Sequence, residues 1–524
     1  MAVKTQNVQV TSDRYTKISI GEEGSFVNRD LVTVVVIESN TQPDVSQVGD
    51  PLKFAKRYNY SLEGENAIWG KAVVGSASIG VTPAKVPKTM RAVSNGLRMP
   101  IKHSNSSRDS HAISRIRRTA LVDMVGLVKV VMPLFHMDRP NSLLREVDFP
   151  DPCRIKVGLE PLYKEGGTGI TSSPILFSEE YIYDPASQVG FAVLEIDLGT
   201  NVIPKGQNYG IWTAYDNLKT EAPWFLPYSN KANSETDDTL FETAITRWPD
   251  DGTSSSGSWI TDSGMDVPDS ISKQTTVRDC YGPVALLCES SVDAWVLFGS
   301  STLEGAYDNN QGDARGDENG NRGWGDRLFS GHYGLPFVNL AKGSDKLGYL
   351  TATDTEVTPN RSNFTHRKAI AALCAPTHVA CTTGSNDITS SLTEQAFKDM
   401  FQQHLNEVKE VVLTATNFYS ATYTPKITWA SPYMELADQT VKPVGSTGND
   451  PLRQEINRWM RSGTGDLEVD GFIDASFACE SQDGIGKWQV DGVTAKLMTD
   501  DGTHPNAFGA SKIANDARVI TYYK

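Results

Sequence analysis

Trp295-Val296-Leu297-Phe298-Gly299-Ser300-Ser301-Thr302-Leu303-Glu304-Gly305 is the stretch whose reading decides the fold of the C-terminal half. An apolar run that ends in Gly-Ser-Ser predicts a buried strand presenting a hydroxyl at its carboxyl end, where open α/β sheets place their ligand sites. A serine so placed acts as a nucleophile only with a base, a group that orients the base, and donors for an oxyanion.

Candidates for all three lie downstream. In Asp501-Gly502-Thr503-His504-Pro505-Asn506 an imidazole follows a carboxylate by three positions within a turn-forming sequence. That spacing lets Asp501 reach the His504 ring and fix its tautomer, leaving the other ring nitrogen to take the serine proton. Thr382-Thr383-Gly384-Ser385-Asn386-Asp387 follows the apolar run Val379-Ala380-Cys381, which puts the Asn386 amide at another strand's carboxyl end. Phe337-Val338-Asn339-Leu340-Ala341-Lys342-Gly343-Ser344 repeats the pattern of an apolar strand followed by glycine, where a bare backbone N–H can face a ligand. Each piece alone reads as a turn, a helix cap or a surface histidine. Their joint occurrence carries the argument.

These four stretches, in their order along the chain, resemble the sequence blocks of the SGNH (GDSL-like) hydrolases, a family of serine esterases and carbohydrate deacetylases. The resemblance covers roughly the last 240 residues. It implies Ser301 as nucleophile with Asp501 and His504 completing a triad, and an oxyanion hole made by the Ser301 N–H, the Gly343 N–H and the Asn386 side chain. It implies no metal and no cofactor. Asn457-Arg458-Trp459-Met460-Arg461 is similar to a helix that precedes the last strand in many relatives. Two positions depart from the pattern: Ser300 stands where the family usually has aspartate, and the step from Asn339 to Gly343 is one residue short of the common form.

From residue 283 onward strands alternate with helical patterns, predicting a parallel sheet flanked by helices, here assigned to 283–524. The clearest helix spans 391–412, with Thr393 as its cap and Phe397, Met400, Phe401, Leu405, Val408 and Val412 at helical spacing. Residues 426–430 read as a strand, 451–461 as a helix, and 506–519 as the closing helix.

Upstream the character is β. Residues 1–90 carry short β-like runs at 8–10, 17–20, 31–37, 72–74 and 79–81, predicting a small all-β domain. Its ending, around Ala67-Ile68-Trp69-Gly70-Lys71 and Ser76-Ala77-Ser78-Ile79-Gly80-Val81, is similar to small N-terminal modules of bacteriophage tail and tail-fibre proteins. A polar and basic connection follows at 82–118, with Lys85, Lys88, Arg91, Arg98, Lys102, Arg108, Arg115, Arg117 and Arg118, and reads as solvated linker. Within 91–282 alternating runs at 127–132, 154–159, 191–196 and 209–213 predict an accessory sandwich or jelly roll. Trp212, Trp224, Phe225, Trp248 and Trp259 are candidate sugar platforms there, with core packing as the ordinary reading. The polar insertion 308–326 reads as a solvated loop beside the nucleophile; its spacing does not fit a calcium loop, and Trp324 is a candidate substrate platform.

The chain has 524 residues and a formal net charge of −15, which excludes nucleic acid and anionic membrane as bulk partners. Its six cysteines form no Cys-x-x-Cys pair and read as buried free thiols. The N-terminus lacks the apolar region of a secretory signal, and no stretch is long and apolar enough to span a membrane. The expected function is hydrolysis of O-acetyl esters on a bacterial surface polysaccharide. Together with the N-terminal likeness, this predicts a virion tail component, made in the host cytoplasm, that partners other tail proteins as a homotrimer. Two rivals stand beside it: a free carboxylesterase or lipase, and an inert receptor-binding virion protein.

Overall fold

The computed structural model describes the strands of residues 6–83 as backbone. Between 88 and 521 it describes all but short loop segments and the stretches 96–100, 103–110, 139–144, 162–174, 220–226, 229–243, 248–259, 266–280, 309–322 and 352–360. The chain divides into two units, 1–89 and 90–524.

The first unit is antiparallel throughout its described pairings. One four-stranded sheet runs Gln6–Thr11, Ser76–Pro83, Glu23–Asn28, Arg57–Ser61, and a second runs Thr16–Lys17, Ala67–Ala72, Val34–Ser39, Asp50–Leu52.

The second unit joins accessory β-sheets to an α/β sheet. His111–Thr119, Asn208–Asn217 and Cys153–Glu160 pair antiparallel, and against them lies a sheet of Phe191–Ile203, Met124–Pro133, Ala285–Ser290 and Thr89–Asn95. The core between them is closed by residues such as Val128, Val130, Ile155, Val157 and Tyr215. Three parts of the basic segment, Thr89–Asn95, Ile101–Lys102 and His111–Thr119, are therefore strands rather than solvated linker. Arg115 is buried on His111–Thr119 because a bidentate pair with the fully buried Glu160 satisfies its guanidinium, at 2.7–3.1 Å. Trp212 is also core, its indole N–H donating to Glu160 Oε2 at 3.2 Å. Trp224, Phe225, Trp248 and Trp259 lie outside the described residues. Ala285–Ser290 pairs with Met124–Pro133, so a strand C-terminal to 282 belongs to the accessory sheet.

The α/β sheet is built on β1 (Trp295–Phe298), β2 (Phe337–Asn339), β3 (His378–Cys381), β4 (Asn417–Ala421), β5 (Gly471–Ile473) and β6 (Val519–Thr521), in the order β2-β1-β3-β4-β5-β6. All pairings are parallel except β5 with β6. Because helices and the accessory core cover it, β1 and β3 are buried along their whole length, the run of apolar residues expected of parallel strands. Phe298 and Val296 share one core with Val131 and Phe135 of the accessory strands, so the two sheets are packed as one body. The predicted strand at 426–430 does not enter this sheet. Ile427–Trp429 pairs antiparallel with Gln439–Val441 in a separate ribbon, and the fourth parallel strand is Asn417–Ala421. The described cysteines 153, 288, 374, 381 and 479 are free and buried.

The helix Glu394–Val411 begins where Thr393 accepts from the Ala396 amide at 3.2 Å, and it buries Phe397, Phe401, Leu405 and Val408 along one face. His404 lies on that same face, fully buried against Phe298 and Phe364. Among the described residues neither ring nitrogen has a hydrogen-bond partner. Burial, aided by the Arg367 and Lys368 charges, lowers its pKa to about 3. The unfolded chain therefore binds a proton at this site between about pH 6.5 and pH 3 that the folded chain does not. Stability falls with acid across that window, by up to about 1.4 kcal/mol per pH unit. His404→Leu is expected to flatten this slope, measured as the change in urea midpoint between pH 7 and pH 5; parallel slopes in the two proteins would refute it.

Candidate active site

The nucleophile turn is forced by its neighbours. Gly299 leaves β1 where a Cβ would lie 2.3 Å from Thr382 Oγ1 and 2.7 Å from Leu303, so only glycine fits without displacement. The one-turn helix Ser301–Glu304 then starts, with the Ser300 carbonyl accepting from Leu303 N at 3.1 Å and Glu304 N at 3.0 Å. The Ser300 side chain makes no capping bond, so the brace usually supplied by aspartate is replaced by backbone bonds alone. Ser301 heads this helix, and a first-turn N–H has no acceptor within its own helix.

The structure brings Ser301, Asp501 and His504 together across 203 residues of sequence. Asp501 Oδ1 accepts from the Thr503 and His504 amides at 2.9 and 2.8 Å, which closes the turn. Its Oδ2 lies 2.7 Å from His504 Nδ1. With Nδ1–H donating to that carboxylate, Nε2 is left as the acceptor for the Ser301 hydroxyl, 2.8 Å away. Burial raises the Asp501 pKa, but the hydrogen bond and charge of His504 and the two amides outweigh it, so the carboxyl sits below its ordinary value. All three side chains remain partly accessible.

A hydroxyl, an imidazole and a carboxylate in line, at the carboxyl edge of a parallel sheet, are the parts of a serine acyl-transfer centre. A family model described as GDSL-like Lipase/Acylhydrolase matches residues 296–517. Residues 296–517 form a GDSL-like acylhydrolase domain. No curated protein matches the chain. Among solved structures, the inhibitor-bound aryl esterase of M. smegmatis shares 16% identity over 42% of this chain and 94% of its own, with a TM-score of 0.28. A family two carbohydrate esterase from Clostridium thermocellum, in complex with cellohexaose, shares 11% identity over 78% of this chain and 91% of its own, with a TM-score of 0.27.

The acylhydrolase domain arranges the expected oxyanion donors unevenly. Asn386 donates one N–H to the Asp345 carbonyl at 3.0 Å, which fixes the amide and leaves its second N–H available. Gly343 lies beside the nucleophile, where a Cβ would stand 3.7 Å from Ser301 Cβ. Its N–H, expected from the sequence to face an oxyanion, instead donates to Glu304 Oε2 at 2.6 Å. The cause is a buried ion pair: Lys342 Nζ holds Glu304 Oε1 at 2.6 Å and draws the carboxylate over the shortened loop. The next residue, Ser344, has a φ of 75°, a left-handed conformation uncommon outside glycine. Ser344 is thus the strained residue of this loop.

The acylhydrolase domain also buries Trp324, only 2% exposed, against Leu303, Leu328 and their neighbours, so it is core and not a substrate platform. Asp308 anchors the polar insertion by pairing with Arg327 at 2.8 Å and accepting from Gly323 N at 2.8 Å; most of that loop lies outside the described residues. Among the described residues no cluster of histidine, cysteine and carboxylate could hold a metal, and no helix is long and apolar enough to cross a membrane. Glu304 and Lys342 were not legible as site residues: Glu304 reads as an ordinary helix acid, and its partner is 38 positions away.

Proposed function

We propose that the acylhydrolase domain removes O-acetyl groups from a carbohydrate, with Ser301 as nucleophile. The single observation that carries the proposal is the unbroken chain from Asp501 through His504 to Ser301, at 2.7 and 2.8 Å. Ser301 Oγ attacks the ester carbonyl as Nε2 of His504 takes its proton, and Asp501 steadies the imidazolium. The Ser301 N–H and the second Asn386 N–H face the developing oxyanion. His504 then protonates the leaving alcohol, and water releases acetate from the acyl-enzyme by the same route.

Gly343 joins as a third donor when its N–H exchanges Glu304 for the oxyanion. Asn386→Ala is expected to lower kcat by roughly 10²–10³ with little change in KM. A change confined to KM would show that Asn386 binds substrate without touching the oxyanion.

Support for a carbohydrate comes from the accessory sheets, which share a core with the hydrolase sheet and so travel with it as one body. The N-terminal likeness to tail modules supports a place in a virion, acting on acetylated glycan at a bacterial surface as a homotrimer beside other tail proteins. Acetate release from O-acetylated polysaccharide, run beside aryl acetate and aryl octanoate, tests the substrate class. Acetyl preference with release from polymer is the expected result. Faster octanoyl turnover would point to a lipase instead.

A further inference from the structure

A pocket lined by Ser385, Tyr423, Thr424, Lys426, Lys442 and Arg453 among others reaches the site through its lysines. Each lysine is tied to one of the loops that carry Asn386 and His504. Lys426 Nζ donates to the carbonyl of Ser385, next to Asn386, at 2.7 Å. Lys442 Nζ donates to Thr503 Oγ1, next to His504, at 2.8 Å. The lysines are neighbours across the ribbon, where Lys442 N donates to Lys426 O at 2.9 Å.

The charges here are not balanced. Arg453 is neutralised by Asp450 and Glu480, each at 2.6 Å. Among the described residues no carboxylate lies within ion-pair distance of Lys426 or Lys442. Asp387, the acid that acts on Lys426, accepts instead from the amides of Leu347 and Gly348. Burial and then the Lys442 charge lower Lys426 to about 8, which leaves it cationic at neutral pH. Each ammonium uses one donor on a neutral oxygen and has two more. Holding two cations side by side without a direct ion pair is costly unless an anion joins them, and in a chain of net charge −15 it is a local exception.

We propose that this pocket binds an anionic oxygen group, carboxylate or phosphate, carried by the ester substrate, so that the acetylated sugar is an acidic one. The assignment rests on the ester-hydrolase reading above. It places the anion against Lys426 and Lys442 while the ester lies over Ser301, and it makes the two loops a clamp on one substrate.

The test uses the full chain and a matched pair, O-acetylated galacturonic acid and O-acetylated galactose, with aryl acetate as a third substrate. The acidic sugar is expected to have the larger kcat/KM by at least ~10-fold at low salt, a preference that shrinks as salt is added. Lys442→Gln should collapse the ratio and Lys442→Arg should restore much of it. Calorimetry on the Ser301→Ala protein with galacturonate and with inorganic phosphate identifies which anion is taken, and Lys442→Gln in that background should abolish the signal. Equal kcat/KM for the two sugars, or neither anion bound, overturns the pocket. Absence of turnover on all three substrates counts against the hydrolase reading instead, and the calorimetry still decides the pocket.

Discussion

Ser301→Ala is expected to lower aryl acetate turnover by roughly 10⁴–10⁶, with the fold unchanged by circular dichroism. The magnitude follows from the loss of the covalent path: without Oγ, the imidazole at 2.8 Å has no nucleophile to activate. What remains is binding and the oxyanion donors. Asp501→Asn should cost about 10⁴, because an amide in that place no longer selects the tautomer with Nδ1–H. Steady-state rates on the purified variants check both. A Ser301→Ala protein that retains even a tenth of the activity would mean another group attacks the ester.

The second large effect is on stability and lies at Arg367. This guanidinium is 1% exposed and bridges Glu146 of an accessory strand, at 2.8 Å, to Asp345 of the oxyanion loop. Glu146 also accepts from the His366 and Arg367 amides at 2.7 and 3.1 Å, so an accessory carboxylate caps the first turn of the helix Thr365–Leu373. Removing the cation leaves two buried carboxylates facing each other. Arg367→Met is expected to cost about 3–5 kcal/mol, read from the urea midpoint. Adding Glu146→Gln and Asp345→Asn to that variant should recover part of the loss, since no buried anion would then be unpaired. The Asp345 carbonyl holds the Asn386 amide, so kcat should fall in Arg367→Met as well. No recovery in the triple variant would show that packing of the guanidinium, not its charge, matters.

The parts of the site that were legible in the sequence share one property: their signal is local. An apolar run ending in small residues marks β1 and its serine, and a carboxylate three positions before a histidine closes its own turn through Asp501 Oδ1. The helix over Glu394–Val411 was equally clear, because cap and apolar face lie within one segment. What was hidden depends on partners far apart in the chain. Glu304 meets Lys342, Glu146 meets Arg367 across 221 positions, and Lys426 meets Lys442 across a ribbon. Ala285–Ser290 carries the same apolar signature as a parallel strand, and periodicity alone does not say which sheet receives it. Trp324 misled for a related reason, since a polar insertion surrounds an aromatic ring that packs inward.

Labelling by a serine-directed fluorophosphonate, followed by mass spectrometry of the adduct, addresses the central claim most directly. It reads the nucleophile itself, whatever the natural ester proves to be. A single adduct on Ser301, lost in His504→Ala and blocked by substrate, is the predicted result. An adduct on another serine, or none on a folded protein, would contradict it.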